Sequence, residues 1–190
     1  MSASIDLDGP LYHGSYTEIK VPDLSFARRA TDFGQGFYLT DDRAQADEIA
    51  LDRGDLKGLA YGVSNQYAYS GKNAVLCFDF GEADVQWLEF VLFNRDARSR
   101  EYVNQTRCQE LLATYDIIIG PVADDDLSPT INELIIALQN LPADNPERVA
   151  RIKSDTISDL RPYRYKYQAC FRTPEALGNL VLARSRNVVR

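Results

Sequence analysis

The stretch DFGQGFYLT, residues 32–40, places two glycines, one residue apart, directly before the apolar triplet FYL. Glycine is disfavoured inside a strand, because it loses more conformational freedom on folding than other residues and brings no side chain to pack. Gly34 and Gly36 therefore predict either a simple turn at a strand entry or a backbone that lies close against another group. The sequence leaves both explanations open.

The composition predicts one globular domain over residues 1–190. Hydrophobic residues make up 45% of the chain and charged residues 26%, which is typical of a soluble protein. No apolar run approaches the roughly 20 residues of a membrane span, and the first residues, MSASIDLDGPLYHGS, lack the pattern of a signal peptide. We expect a cytoplasmic protein without membrane contact. The net charge of −7 argues against broad contact with nucleic acid backbones.

Cysteine and histidine usage argues against a metal site. Cys77, Cys108 and Cys170 are widely spaced in apolar surroundings, so they are expected to be buried free thiols in a reducing compartment. His13 is the only histidine, which excludes a histidine-rich metal centre. No metal is expected.

Strands and helices are predicted in an order that indicates an α+β fold, because strands occur at both ends of the chain and helices cluster between them. Strands are predicted over residues 11–15, 36–39, 73–80, 116–120, 163–172 and 180–182. Helices are predicted over 43–53, 85–95 and 102–115, after the cap Ser128-Pro129, and after the cap Thr173-Pro174.

Five segments in this order together resemble the ADP-ribosyltransferase superfamily. They are LYHGS, DFGQGFYLT, a Trp-containing helix that ends in Asn-Arg, DIIIGPVADDD and YQACFRTPEAL, and they extend from about Leu11 to Leu182. Within the superfamily they look like a family of small bacterial proteins, long of unknown function, that is linked to toxin–antitoxin loci. The resemblance implies split antiparallel sheets around a cleft for NAD, flanked by helices.

The resemblance also implies an activity and its partners. The chain would be a mono-ADP-ribosyltransferase that uses NAD as substrate, cleaves the nicotinamide–ribose bond and transfers ADP-ribose to an acceptor. The acceptor is expected to be a macromolecule, whose identity the sequence leaves open. In its biological setting the chain would be the toxin of a toxin–antitoxin pair, with a cognate antitoxin protein as its partner.

Residue roles follow from the same resemblance. His13 would bind the adenosine-side ribose, the backbone of Gly14 would clamp the nicotinamide carboxamide, and Tyr38 would stack on the nicotinamide ring. Gly34 and Gly36 would let the preceding turn pass close to the ligand. An electron-rich ring face attracts a cationic heteroaromatic, which agrees with the role of Tyr38. His13 and Tyr38 are expected to project into one pocket.

Two positions depart from the superfamily pattern. Gln168 stands where a catalytic glutamate is common; an amide can hold a ribose hydroxyl but lacks the charge that steadies an oxocarbenium-like transition state. Loss of one such group typically costs about 10²–10³ in rate. Ile49 stands where many relatives have an aromatic ring, so it offers an apolar wall without stacking. Ser15 completes the His-Gly-Ser motif and is counted among the NAD-binding residues.

Charged groups complete the predicted site. Asp124 and Asp125, in the acidic loop after DIIIG, would act as general base for the acceptor or attract the nicotinamide cation. Arg95, at the end of the Trp-containing helix, would contact an NAD phosphate or the acidic loop.

Each of these residues also has a structural interpretation, such as a turn histidine, a strand glutamine, a solvated loop, or an arginine that favours the helix dipole. Two other functions remain open as well. Gln168 and Ile49 are compatible with an NAD-binding or interaction module that has lost turnover. The acids at 124–126 would suit a metal-dependent phosphodiesterase, although three adjacent acids form a poor octahedral site.

Overall fold

A computed structural model describes residues 5–123, 127–140, 145–159 and 166–190, and it confirms the α+β class. The strands are β1 Leu11–Ser15, β2 Phe37–Leu39, β3 Gly62–Tyr69, β4 Cys77–Asp79, β5 Ile117–Pro121, β6 Tyr167–Phe171 and β7 Leu180–Val188. The α-helices are α1 Arg43–Asp55, α2 Val85–Arg95, α3 Gln105–Thr114, α4 Leu127–Gln139, α5 Pro146–Asp159 and α6 Pro174–Leu177. Short 3-10 helices cover Leu24–Phe26 and Ala97–Tyr102.

Side-chain caps explain where several helices begin. The carboxylate of Asp42 accepts hydrogen bonds from the first backbone amides of α1, and that of Asp84 accepts one from the amide of Trp87 in α2. Thr173 caps α6, and Pro174 follows as its first residue. These caps satisfy amides that have no partner within the helix. The predicted starts of these three helices are confirmed.

Two sheets form the framework. The first has the order β1-β3-β7 and is antiparallel throughout. The second has the order β2-β6-β5-β4 and is mixed, because β4 and β5 run parallel. The expectation of purely antiparallel sheets is therefore wrong for that pair: α2 and α3 lie between β4 and β5, and such a crossover permits parallel pairing. A single bridge between Tyr12 and Thr40 joins β1 to β2.

The second sheet is covered on both faces, by the first sheet on one side and by helices on the other. Side chains alternate along its strands, so each strand contributes to both interfaces. On β2, Phe37 and Leu39 point to the first sheet. They share one hydrophobic cluster with Leu11 on β1 of that sheet and with Phe171 on the neighbouring strand β6. Tyr38 points the other way, to a cluster that the helices α2 to α5 share. The centre of the two-sheet interface is thus an apolar core rather than an open cleft.

Several element predictions need correction. β3 and α5 were not expected, β7 is longer than predicted, and the region predicted as one helix over 102–115 forms a 3-10 helix followed by α3. Cys108 and Cys170 are buried as expected, whereas Cys77 is exposed because it lies on the edge strand β4. Across the described ranges, no helix is long and apolar enough to cross a membrane.

Candidate functional site

His13 is bound to the main chain of the second glycine-containing motif. Its Nδ1 lies 2.8 Å from the carbonyl oxygen of Tyr38, and its ring stacks on Phe37 with 4.3 Å between centroids. A carbonyl only accepts, so Nδ1 carries the proton and donates. Burial lowers the pKa of His13 from 6.5 to about 4, and the charge of Arg53 adds to this; the hydrogen bond to Tyr38 opposes it. The imidazole is therefore neutral at pH 7, and Nε2 is an acceptor.

Tyr38 uses its hydroxyl to hold the loop that precedes β2. The hydroxyl donates to the carbonyl of Gly34 over 2.7 Å, accepts from the amide of Phe33 over 2.9 Å and lies 2.8 Å from Oγ1 of Thr31. Burial raises the pKa of Tyr38 well above its ordinary value, so the hydroxyl stays protonated.

The His13 and Tyr38 rings do not face one common pocket in this structure, contrary to expectation. The imidazole stacks on Phe37, which points towards the first sheet. Successive side chains on a strand point to opposite faces, so the Tyr38 ring lies on the helix-covered face. The two residues are joined through the backbone instead.

The glycines of DFGQGFYLT are explained by close approach rather than by a turn alone. Gly34 has a φ of +79°, and a Cβ there would lie 2.8 Å from Oδ1 of Asn94. A Cβ at Gly36 would lie 2.2 Å from the sulfur of Cys170. The groups that exclude side chains at these positions belong to α2 and β6, so protein packing alone accounts for both glycines.

Gly14 is explained in the same way. A Cβ at this position would lie 2.2 Å from the carbonyl oxygen of Ala46 and 2.6 Å from the amide of Ala50, because α1 packs directly on β1. Ile49, which also lies on α1, is next to Gly14 and is 39% exposed, while Ser15 is buried. His13, Gly14, Ser15 and Ile49 are thus brought together.

A second group of predicted residues meets around Asp32, which the sequence analysis missed. Its buried carboxylate accepts from Nε of Arg95 over 2.6 Å, from Nε2 of Gln168 over 2.6 Å and from the amide of Ala123 over 2.9 Å. Arg95 also donates to the carbonyl of Ala123. The sequence around Asp32 gives little sign that its carboxylate is buried and bound in this way. Its partners Arg95, Ala123 and Gln168 are all distant in sequence.

Gln168 lies on the same face of the second sheet as Tyr38. The residue opposite Tyr38 is Cys170, and Gln168 precedes Cys170 by two positions on β6. Within the described residues, Oε1 of Gln168 has no hydrogen-bond partner, while Nε2 is bound to Asp32. The amide oxygen is the free acceptor of this side chain.

The acidic residues predicted for the site, Asp124 and Asp125, lie outside the described residues. Ala123, which directly precedes them, is held at its amide by Asp32 and at its carbonyl by Arg95. Arg95 therefore contacts the main chain at the entry to the acidic loop. No group of three or more histidine, cysteine, aspartate or glutamate residues suited to a metal occurs in the part of the chain that is described.

A polar row crosses the first sheet on the face that carries His13. Asn65 pairs with His13 and with Ser185 in the strand register. Its amide donates to the carbonyl of Thr17, and its oxygen accepts from the hydroxyl of Ser185. An open depression of about 290 Å³ starts at Ser185; it is also lined by Tyr16, Thr17, Glu18, Tyr61, Val63, Arg186 and Asn187.

Comparison with known proteins identifies one matching family. The family described as "Protein of unknown function (DUF3990)" matches residues 10–182. The chain belongs to this family. No curated protein and no solved structure matches. The matched range covers both groups of site residues, from His13 to Gln168.

Proposed function

We propose that the chain is an NAD-dependent mono-ADP-ribosyltransferase, the toxin of a bacterial toxin–antitoxin pair. The observation that carries the proposal is the hydrogen bond from His13 to the carbonyl of Tyr38, which joins two motifs that are 25 residues apart. The strand with the third motif, β6, lies next to β2. Three of the five segments that carry the resemblance thus lie on neighbouring strands, β1, β2 and β6.

The proposed roles use the atoms that are free. Nε2 of the neutral His13 accepts a hydrogen bond from a ribose hydroxyl, and Oε1 of Gln168 accepts one from the hydroxyl next to the reacting carbon. Tyr38 lies on the Gln168 face of the second sheet, where its ring would give the nicotinamide cation an electron-rich wall, and His13, whose ring lies on the other face, would meet the ligand at the adenosine-side ribose. Nicotinamide leaves with the electrons of the bond to C1′, and an acceptor nucleophile then attacks C1′.

The acceptor must lose a proton as it attacks. In the proposal, Asp124 or Asp125 takes this proton as general base. The absent glutamate charge lowers the expected rate by about 10²–10³ relative to a site with a carboxylate at position 168. The proposal therefore predicts a slow enzyme.

A second candidate is an NAD-binding or interaction module without turnover. Two observations favour it: the Tyr38 hydroxyl and the Gln168 amide nitrogen are both used in internal hydrogen bonds.

Growth of a bacterial host tests the proposed function in its biological setting. Expression of the chain is expected to slow growth, and His13→Ala and Tyr38→Ala are expected to relieve this at matched soluble protein levels. Arg151→Ala serves as control, because Arg151 is exposed and pairs with Asp155 on its own helix. Equal toxicity of the wild type and of both site variants would point away from NAD chemistry.

A further inference from the structure

The side-chain amide of Gln168 has one defined orientation in this structure. Its nitrogen lies 2.6 Å from Oδ2 of Asp32. The two ends of a glutamine amide have nearly the same shape, so the hydrogen-bond network decides their orientation. The reversed amide would place its oxygen against a carboxylate oxygen, so that two acceptors would meet without a proton between them. Asp32 thus excludes the reversed orientation.

Asp32 can act in this way because it cannot turn. Arg95 binds its Oδ1 over 2.6 Å, and the backbone amide of Ala123 binds its Oδ2 over 2.9 Å. The Asp32 side chain is only 7% exposed. Both carboxylate oxygens are therefore held by groups from α2 and from the end of β5.

We infer that Asp32 is a positioning residue that turns the oxygen of Gln168 towards the ligand, so that position 168 accepts a hydrogen bond from a donor such as a ribose hydroxyl. This inference rests on the proposed function for the identity of the ligand. The negative charge nearest to the Gln168 amide is then the carboxylate of Asp32, which binds the amide nitrogen.

The contact has a consequence for the substitution that restores a glutamate. In Gln168→Glu, two carboxylates would lie within hydrogen-bond distance, and like charges this close raise the pKa of one of them. The two carboxylates would repel each other or share a proton, so the new carboxylate would bring little charge to the ribose. Asp32→Asn in the same chain removes this conflict. The amide nitrogen of residue 32 would then donate to the carboxylate at 168, while the backbone amide of Ala123 would lose the acceptor that Oδ2 of Asp32 provides.

The exchange of the two groups provides the test. Purified Asp32→Asn, Gln168→Glu and the double variant are compared with wild type for nicotinamide release from NAD across pH, in the presence of a bacterial lysate as source of acceptor. Each single variant is expected to lose up to about 100-fold in kcat with little change in KM, because the reacting geometry is lost. Gln168→Glu should regain activity as pH rises and the shared proton leaves. The double variant should recover part of the turnover that each single variant loses at neutral pH.

A matched control separates this effect from a change of charge alone. Asp155→Asn makes the same chemical change at a carboxylate that is 69% exposed, and it should leave turnover and melting temperature unchanged. Full activity of Asp32→Asn per folded molecule, or a double variant no better than the weaker single variant, would overturn the inference.

Failure of the proposed function would be visible separately. If the wild type releases no nicotinamide, the proposed function fails, and the contact is then tested by stability and by NMR. The melting temperature of the double variant should fall by less than the sum of the two single losses, and Asp32→Asn should shift the side-chain ¹H–¹⁵N signals of Gln168. Additive losses of melting temperature together with unshifted signals would overturn the inference on its own.

Discussion

Nδ1 of His13 donates a hydrogen bond of 2.8 Å to the carbonyl of Tyr38, and this bond joins the edge of one sheet to the edge of the other. The same bond fixes the tautomer of the ring. The half-buried, neutral imidazole has two consequences: its second nitrogen, which has no hydrogen-bond partner among the described residues, is an acceptor, and its protonation is linked to folding.

The first prediction concerns stability in weak acid. The pKa of His13 is about 4 when folded and near 6.5 when unfolded, so between these values the unfolded chain binds more protons. The contribution to stability is complete above pH 6.5 and is lost as pH falls towards 4, by about 3 kcal/mol at most. Denaturant unfolding at several pH values measures it. In His13→Gln this part of the pH dependence should disappear; an unchanged slope would contradict the low pKa.

The second prediction concerns the hydroxyl of Tyr38. Tyr38→Phe should lower the free energy of unfolding by about 1–3 kcal/mol, because the buried amide of Phe33 loses its acceptor. The ring is kept, so NAD affinity should fall less than in Tyr38→Ala. Tyr61→Phe is the control, since that ring is 37% exposed and should change stability by less than about 0.5 kcal/mol. Equal effects in Tyr38→Phe and Tyr61→Phe would show that the hydroxyl does not hold the loop.

The third prediction concerns Gly14. Gly14→Ala should cost about 3 kcal/mol or more, because the new methyl group would overlap the backbone of α1 at Ala46. Gly58→Ala is the matched control: its φ is +69° and nothing lies within 4 Å of the new Cβ, so only the backbone cost of about 1–2 kcal/mol applies. Similar melting temperatures for the two variants would contradict the close packing of α1 on β1.

The fourth prediction concerns the ion pair of Arg95 and Asp32. Arg95→Met should destabilise the protein by about 3–5 kcal/mol, because the buried carboxylate of Asp32 is left without its cation. Arg151→Met removes an exposed pair with Asp155 and should cost less than about 1 kcal/mol. Chemical denaturation of both variants measures the difference. A loss no larger than that of the control would remove the pair from the account of this site.

Elements with local signals were predictable from sequence. The apolar run Ile117–Pro121 gave β5, and the caps Asp84 and Thr173 gave the starts of α2 and α6. These signals lie within a few residues of the element that they define, so no tertiary information is needed.

Elements whose buried faces carry polar groups were not predictable. β3 buries Asn65, whose amide is satisfied by loop carbonyls and by Ser185. α5 buries Lys153, which pairs with Glu89 on α2 and donates to the carbonyl of Tyr102. A polar residue at a core position breaks the apolar period, and its partner becomes visible only in the fold.

The candidate site likewise contains residues with a local sequence signal and residues whose role depends on distant partners. His13, Tyr38 and Gln168 were predicted because each belongs to a short motif. Asp32 was missed because its partners Arg95 and Gln168 are 63 and 136 residues away. The packing reasons for the glycines were also hidden, because the groups that exclude a side chain lie on other elements.

Nicotinamide release from NAD by the purified protein, with and without a bacterial lysate as source of acceptor, tests the proposed function most directly. The account predicts release that depends on lysate, is slow, and is lost in His13→Ala under conditions where that variant remains folded. Binding of NAD without release in either condition would contradict the transferase and favour the binding module. Neither binding nor release would contradict both.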